Sequence, residues 1–84
     1  MTTKTVTLTS DAYTQLNTVT DAYVVQNVSP YSIAIVLSDT QPAPDSTARI
    51  YLNPMDAITG ADMPGTAWGI AIGGPGSSTV TVAE

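Results

Sequence analysis

The sequence predicts an all-β fold, a small antiparallel β-sandwich or jelly-roll-like barrel of six to seven short strands. Three observations predict it. Apolar residues alternate with Thr and Ser at period two through much of the chain, the spacing of a half-buried strand. Clusters of Pro, Gly, Asn and Asp interrupt these stretches at intervals of about ten residues, as in sandwiches and barrels. No segment between candidate strands offers a helix long enough for a parallel crossover, so the strands pair antiparallel. At 84 residues the chain is expected to form one domain, residues 1–84.

Thr5-Val6-Thr7-Leu8-Thr9 places Val6 and Leu8 on one face and three threonines on the other, a strand ended by the turn residues Ser10-Asp11. Residues 12–16 fit either a short strand or a single helical turn. Residues 22–28, Ala-Tyr-Val-Val-Gln-Asn-Val, form the next strand, stopped by Ser29-Pro30 because proline has no amide to give a ladder. Ser29-Pro30-Tyr31 has the length of a turn and leads into the most apolar strand, residues 32–37. Pro42 and Pro44 make residues 39–46 a loop. Residues 48–52 read as a strand with Ile50 and Leu52 inward. Residues 53–65 show no period and read as loop. Residues 67–72, which contain Trp68, form a strand ended by the turn Gly73-Gly74-Pro75-Gly76. Residues 77–82 close the pattern. Thr5-Val6-Thr7-Leu8 and Thr79-Val80-Thr81-Val82 are alike enough to pair with each other or to stand as exposed edges, and Thr-rich edges with little charge are poorly defended against another chain.

A chain of this length buries only about 60–65% of the surface its unfolded form exposes, so its core needs support. There is no Cys for a disulfide, and the lack of both Cys and His removes the usual zinc ligands. Association with further copies is the remaining support. Two basic residues, Lys4 and Arg49, stand against seven acidic ones, giving a net charge of −5 and an isoelectric point near 4.1. Nucleic acid and anionic membrane surfaces are therefore not expected partners, since both need clustered Lys and Arg. Charged residues are 11% of the chain, against a usual quarter, and hydroxyls replace them. Such a surface loses little solvation when it meets another protein. The opening Met1-Thr2-Thr3-Lys4 lacks an apolar signal region, and no apolar run approaches the about 20 residues of a membrane helix.

Enzymatic chemistry is not expected. No His is present to act as a base near neutral pH and no Cys as a nucleophile, and the single lysine, Lys4, lies near an end of the chain expected to be mobile. Asp39, Asp45, Asp56 and Asp62 fall in loops, where aspartate commonly serves as a turn former rather than as an acid–base pair. Asn53, Asp56 and Asp62 supply hard oxygens suited to calcium; their spacing does not fit an EF-hand, which leaves a structural calcium ion between loops as the alternative to an expectation of no metal or other cofactor. The Gly73–Gly76 run lacks the Lys-Ser/Thr ending of a phosphate-binding loop. With no Phe, Trp68 and the tyrosines are expected to fill the core, Trp68 especially, between Ala67 and Gly69. Tyr31, beside Pro30 in a turn, is the candidate exposed contact residue.

The order Val25-Gln26-Asn27-Val28-Ser29, then Ala34-Ile35, Leu52-Asn53-Pro54, Ala67-Trp68-Gly69 and Val80-Thr81-Val82 resembles small structural proteins of tailed bacteriophages, the decoration, cement and tail-accessory proteins. The resemblance covers most of the chain without a strict motif. It implies a sandwich or jelly-roll-like module, a place in a virion assembled in the host cytoplasm, contacts with other virion proteins and self-association, often as a trimer. It carries over no catalytic residue. The alternative that the residues leave open is a carbohydrate-binding or adhesin-like β module, in which the aromatics would contact sugar.

Overall fold

The computed structural model describes residues 2–84. Eight strands follow in order: β1 (Thr3–Thr9), β2 (Thr14–Gln15), β3 (Val24–Asn27), β4 (Ile33–Leu37), β5 (Ile50–Leu52), β6 (Ala57–Thr59), β7 (Ala67–Ala71) and β8 (Ser77–Ala83). They form two antiparallel four-stranded sheets with orders β1-β8-β3-β6 and β2-β7-β4-β5. The first four strands pair with the last four in reverse: β1 with β8, β2 with β7, β3 with β6, β4 with β5. The chain is thus one long hairpin rolled up, and the roll is closed by β3 against β8 and β4 against β7. This is a jelly roll, the eight-stranded form of the β-sandwich.

Eight strands replace the expected six to seven. The added one, β6, lies within residues 53–65, which read as loop. It has three residues, too few to display a period, and only Ile58 faces the core. Residues 12–16 resolve in favour of strand: Thr14 and Gln15 pair with Gly69 and Trp68. The end of the chain expected to be mobile is not so. Lys4 lies in β1, which is zipped to β8 through seven residue pairs, and Thr2 exchanges backbone bonds with Glu84.

The core is the sheet–sheet interface, and it is aliphatic. Leu8, Leu16, Val25, Ile33, Ile35, Val80 and Val82 are fully buried there, and Tyr23 is the one aromatic among them. The expectation that aromatic rings supply the core's bulk fails for a topological reason. Trp68 alternates with the inward-facing Ala67 and Gly69, so its indole points to the outer side of β7. The space above Gly69 is filled by Leu8 and Leu16, whose methyls approach to within 3.0–3.2 Å of where a Cβ would be. Trp68 instead joins a second cluster with Tyr13, Ala34, Val36 and Ile70 on the outer face of its sheet. It is half-buried, and its Nε1 donates to the Ser38 carbonyl at 2.9 Å. Gln41 donates to the Tyr13 carbonyl at 2.9 Å, which draws the proline loop after β4 over this face. Of the two β5 residues expected inward, Leu52 is buried, while Ile50 remains 38% exposed at the sheet edge.

Candidate contact surface

Successive strands alternate in direction, so four connections gather at one end of the roll. They join β1 to β2, β3 to β4, β5 to β6 and β7 to β8. Hydrogen bonds tie them together there. Ser10 donates its amide to the Gly76 carbonyl, Met55 to that of Asn27, Asn27 to that of Asp56, and the Ser32 hydroxyl bonds the Asn53 side chain.

Asn27 organises this end. Its side chain is fully buried at the end of β3. Its Nδ2 donates to the carbonyls of Tyr31 and Leu52 at 2.8 and 3.0 Å, and its Oδ1 accepts from the Ser29 amide and hydroxyl at 3.0 and 2.7 Å. The amide thus spends both donors and both lone pairs on the Ser29-Pro30-Tyr31 turn and the neighbouring β5, which leaves no buried polar atom of this group unpaired. The single Ser29 hydroxyl proton is shared between Asn27 Oδ1 and the Tyr31 carbonyl, which lies 2.8 Å away, and the hydroxyl oxygen accepts the Tyr31 amide at 3.3 Å. The turn that carries Tyr31 is fixed from beneath.

Tyr31 itself is 40% exposed. One side of its ring rests on the turn between β7 and β8. A Cβ at Gly74 would come within 2.5 Å of that ring, and Gly74 has a φ of +67°, so both the contact and the backbone require glycine. Beside it lies a shallow groove of about 220 Å³ lined by Ser10, Ala71, Ile72 and the turn glycines.

Met55 is the residue that sequence reasoning missed. It is 68% exposed and has a φ of +73°, the single non-glycine in the left-handed region among the described residues. Asn53-Pro54-Met55-Asp56 is a turn closed by the Asp56 amide on the Asn53 carbonyl at 3.0 Å. The signal was Pro54, which favours the second place of such a turn and leaves the third to a residue of positive φ, normally Gly or Asn. Methionine there is strained by about 1–2 kcal/mol. It is held by its amide on Asn27 and by Gln26, which donates to its carbonyl at 3.1 Å. Val28 and Ile72, exposed by 43% and 39%, complete an apolar rim with Tyr31 and Met55.

A second surface differs in kind. On the outer face of the β1-β8-β3-β6 sheet, Thr5 lies opposite Thr81 and Thr7 opposite Thr79. Thr3, Thr9, Gln26 and Thr59 lie on the same face, and no strand residue on it carries a charge.

The carboxylates expected in loops are all exposed: Asp39, Asp45, Asp56 and Asp62. Asp56 accepts the Asn53 amide and Asp62 bonds the Thr59 hydroxyl, at opposite ends of β6. Asn53, Asp56 and Asp62 are therefore not brought to one point. Among the described residues no three of His, Cys, Asp and Glu are grouped as metal ligands would be. Lys4 makes an ion pair with Glu84 at 3.6 Å. Arg49 lies over the Tyr51 ring, 5.6 Å from its centre, and beside the hydroxyl of Tyr13. No family model matches this chain, and neither a curated protein nor a solved structure matches it.

Proposed function

We propose that this chain is a non-enzymatic structural protein of a phage virion, one that associates with its own copies and binds the capsid or the tail. The observation that carries the reading is the exposed apolar rim of Tyr31, Met55, Val28 and Ile72. The backbone beneath two of its residues is tied down before any partner arrives, because Asn27 holds both the Tyr31 turn and the Met55 amide. A pre-ordered rim loses little entropy on binding. Aromatic and methionine side chains are favoured in the buried centre of protein interfaces. The charge-poor threonine face suits broad contact with a protein lattice. Jelly rolls serve virus capsids among other roles, which is a likeness of fold only.

The test is co-sedimentation of the protein with purified heads and with purified tails of tailed phages. The wild type is expected to pellet with one of the two. Tyr31→Ala and Met55→Gly are expected to weaken that binding by about thirtyfold each, the loss typical of a hot-spot residue. A protein that pellets with neither would sink the reading.

A carbohydrate-binding role is the second reading, and the groove beside the Tyr31 ring is what favours it. Trp68 argues the other way, since its indole nitrogen is already bonded and the ring is half-covered. Chemical-shift changes confined to Ser10, Ile72 and Gly74 on adding simple sugars would support this role, and their absence at millimolar sugar would remove it.

A further inference from the structure

Each sheet has two edges, and three of the four edge strands are short. β2 has two residues, β5 three and β6 three. Short edges are one of the ways proteins avoid pairing with other chains. β1 is different. It has seven residues and is bonded on one side only, to β8. Its register runs without a bulge from Thr3 opposite Ala83 to Thr9 opposite Ser77, and it contains no Pro, Gly or acidic residue.

The direction of its free backbone groups follows from the ladder. Thr2 and Glu84 exchange bonds at 2.7 and 3.1 Å, and Ser10 donates to Gly76 at 3.1 Å. Bonded and non-bonded pairs alternate in an antiparallel ladder. The even-numbered residues of β1 therefore spend their N–H and C=O on β8. Thr3, Thr5, Thr7 and Thr9 turn theirs to the open edge. The one charge on the strand, Lys4, is the kind of inward-placed residue that normally guards an edge, but Glu84 at 3.6 Å offsets it.

We propose that this edge pairs with a second copy of the chain, β1 antiparallel to β1 about a two-fold axis at Val6. The inference rests on the self-association in the reading above and locates it. Thr3 then bonds Thr9 of the partner subunit and Thr5 bonds Thr7 of the partner subunit, about eight backbone bonds in all. This register engages all four outward threonines, whereas a shift by two residues in either direction strands one of them. It sets Lys4 against Leu8 of the partner subunit rather than against a like charge. The strand is thus complementary to itself in length, bonding pattern and charge, which is why a second copy is the occupant. The outcome is an eight-stranded sheet with a continuous threonine face. An isologous edge pair closes at two copies, so a dimer replaces the trimer implied by the phage resemblance.

The test uses the full chain. Thr7→Pro removes only an outward N–H, a substitution that edge strands accept. Val6→Cys places the sole cysteine at the axis, in a non-bonded pair whose Cα atoms would lie about 4.5 Å apart, within disulfide reach. Light scattering is expected to show a dimer for the wild type and at least tenfold weaker association for Thr7→Pro. Oxidised Val6→Cys is expected to become a covalent dimer at least ten times faster than Thr59→Cys, on the opposite edge. If Thr7→Pro is folded and associates undiminished, the β1 pairing is wrong while self-association stands. If Thr7→Pro does not fold, the cysteine variant decides, and equal rates at positions 6 and 59 overturn the pairing. A wild type that is monomeric at every concentration overturns both the pairing and the self-association it rests on.

Discussion

Asn27 has more bonds to lose than any exposed residue of the contact rim. Asn27→Ala would strip the side-chain partner from the Leu52 carbonyl and the Ser29 amide at a site that water does not reach, and would leave the Ser29 hydroxyl and the Tyr31 carbonyl only each other. Unsatisfied buried groups cost about 1–3 kcal/mol each, and relaxation recovers part of that, so a loss of about 2–4 kcal/mol is expected in a denaturant titration. Near-full stability in the alanine variant would contradict the role given to this side chain. Met55 is the opposite case. Met55→Gly relieves a left-handed conformation worth about 1–2 kcal/mol and adds a chain-entropy cost of about 0.5–1 kcal/mol. Stability is expected to hold or to rise by up to about 1.5 kcal/mol, even as partner binding falls. A clear drop in melting temperature would mean that the methionine side chain supports the fold, and its claim as a contact residue would lapse.

Among the elements, β8 carries the greatest responsibility. It is central in its sheet, buries Ser78, Val80 and Val82 on one side, and leads directly into Glu84. The Glu84 carboxylate accepts the Thr18 amide at 2.8 Å and the Val19 amide at 3.2 Å, with Lys4 nearby. The Thr18 amide is the main cause, with Val19 and Lys4 adding to it, that Glu84 is held below its ordinary pKa. A carboxyl whose pKa is lowered by folding contributes stability that is full above the unfolded value and fades as pH falls through the folded one. The contribution is therefore present at neutral pH and lost on acidification through and below the ordinary glutamate range. Melting curves of the wild type and Glu84→Gln should differ at pH 7 and converge toward pH 3. A gap that stays constant down to pH 3 would show that the amide clip does not depend on the charge.

At the scale of the whole molecule, the rolled hairpin makes nearly every sheet contact remote in sequence. β1 meets β8 across the length of the chain, and only β4 and β5 are both adjacent in sequence and paired. The loop entropy of such closures is lost before the contacts that offset it are complete. Stopped-flow refolding is accordingly expected in the millisecond-to-second range of non-local β proteins. Microsecond refolding would mean that some local element forms independently of the roll. The same topology explains why a core so poor in aromatics suffices. Two sheets facing each other along their full length let Leu, Ile and Val interlock, and every ring but that of Tyr23 is left to the outer faces and the rim.

The period-two pattern by itself determined that the chain is all-β, where most strands run, and that the Thr-rich end strands suit each other. Alternation is a local property, and it records which side of a strand is wet. It also marked Tyr31, because a tyrosine after Ser-Pro has no strand to hide in. Tertiary structure decided what depends on pairing. β6 is too short to announce itself and exists because β3 offers it a partner. Trp68 faces outward because its register against β2 and β4 gives the inward places to Ala67 and Gly69. Asn27 and Met55 were hidden for a related reason. One becomes a hub and the other a strained rim residue only when the turns after β3 and β5 meet at the same end of the roll, and no local pattern encodes that meeting.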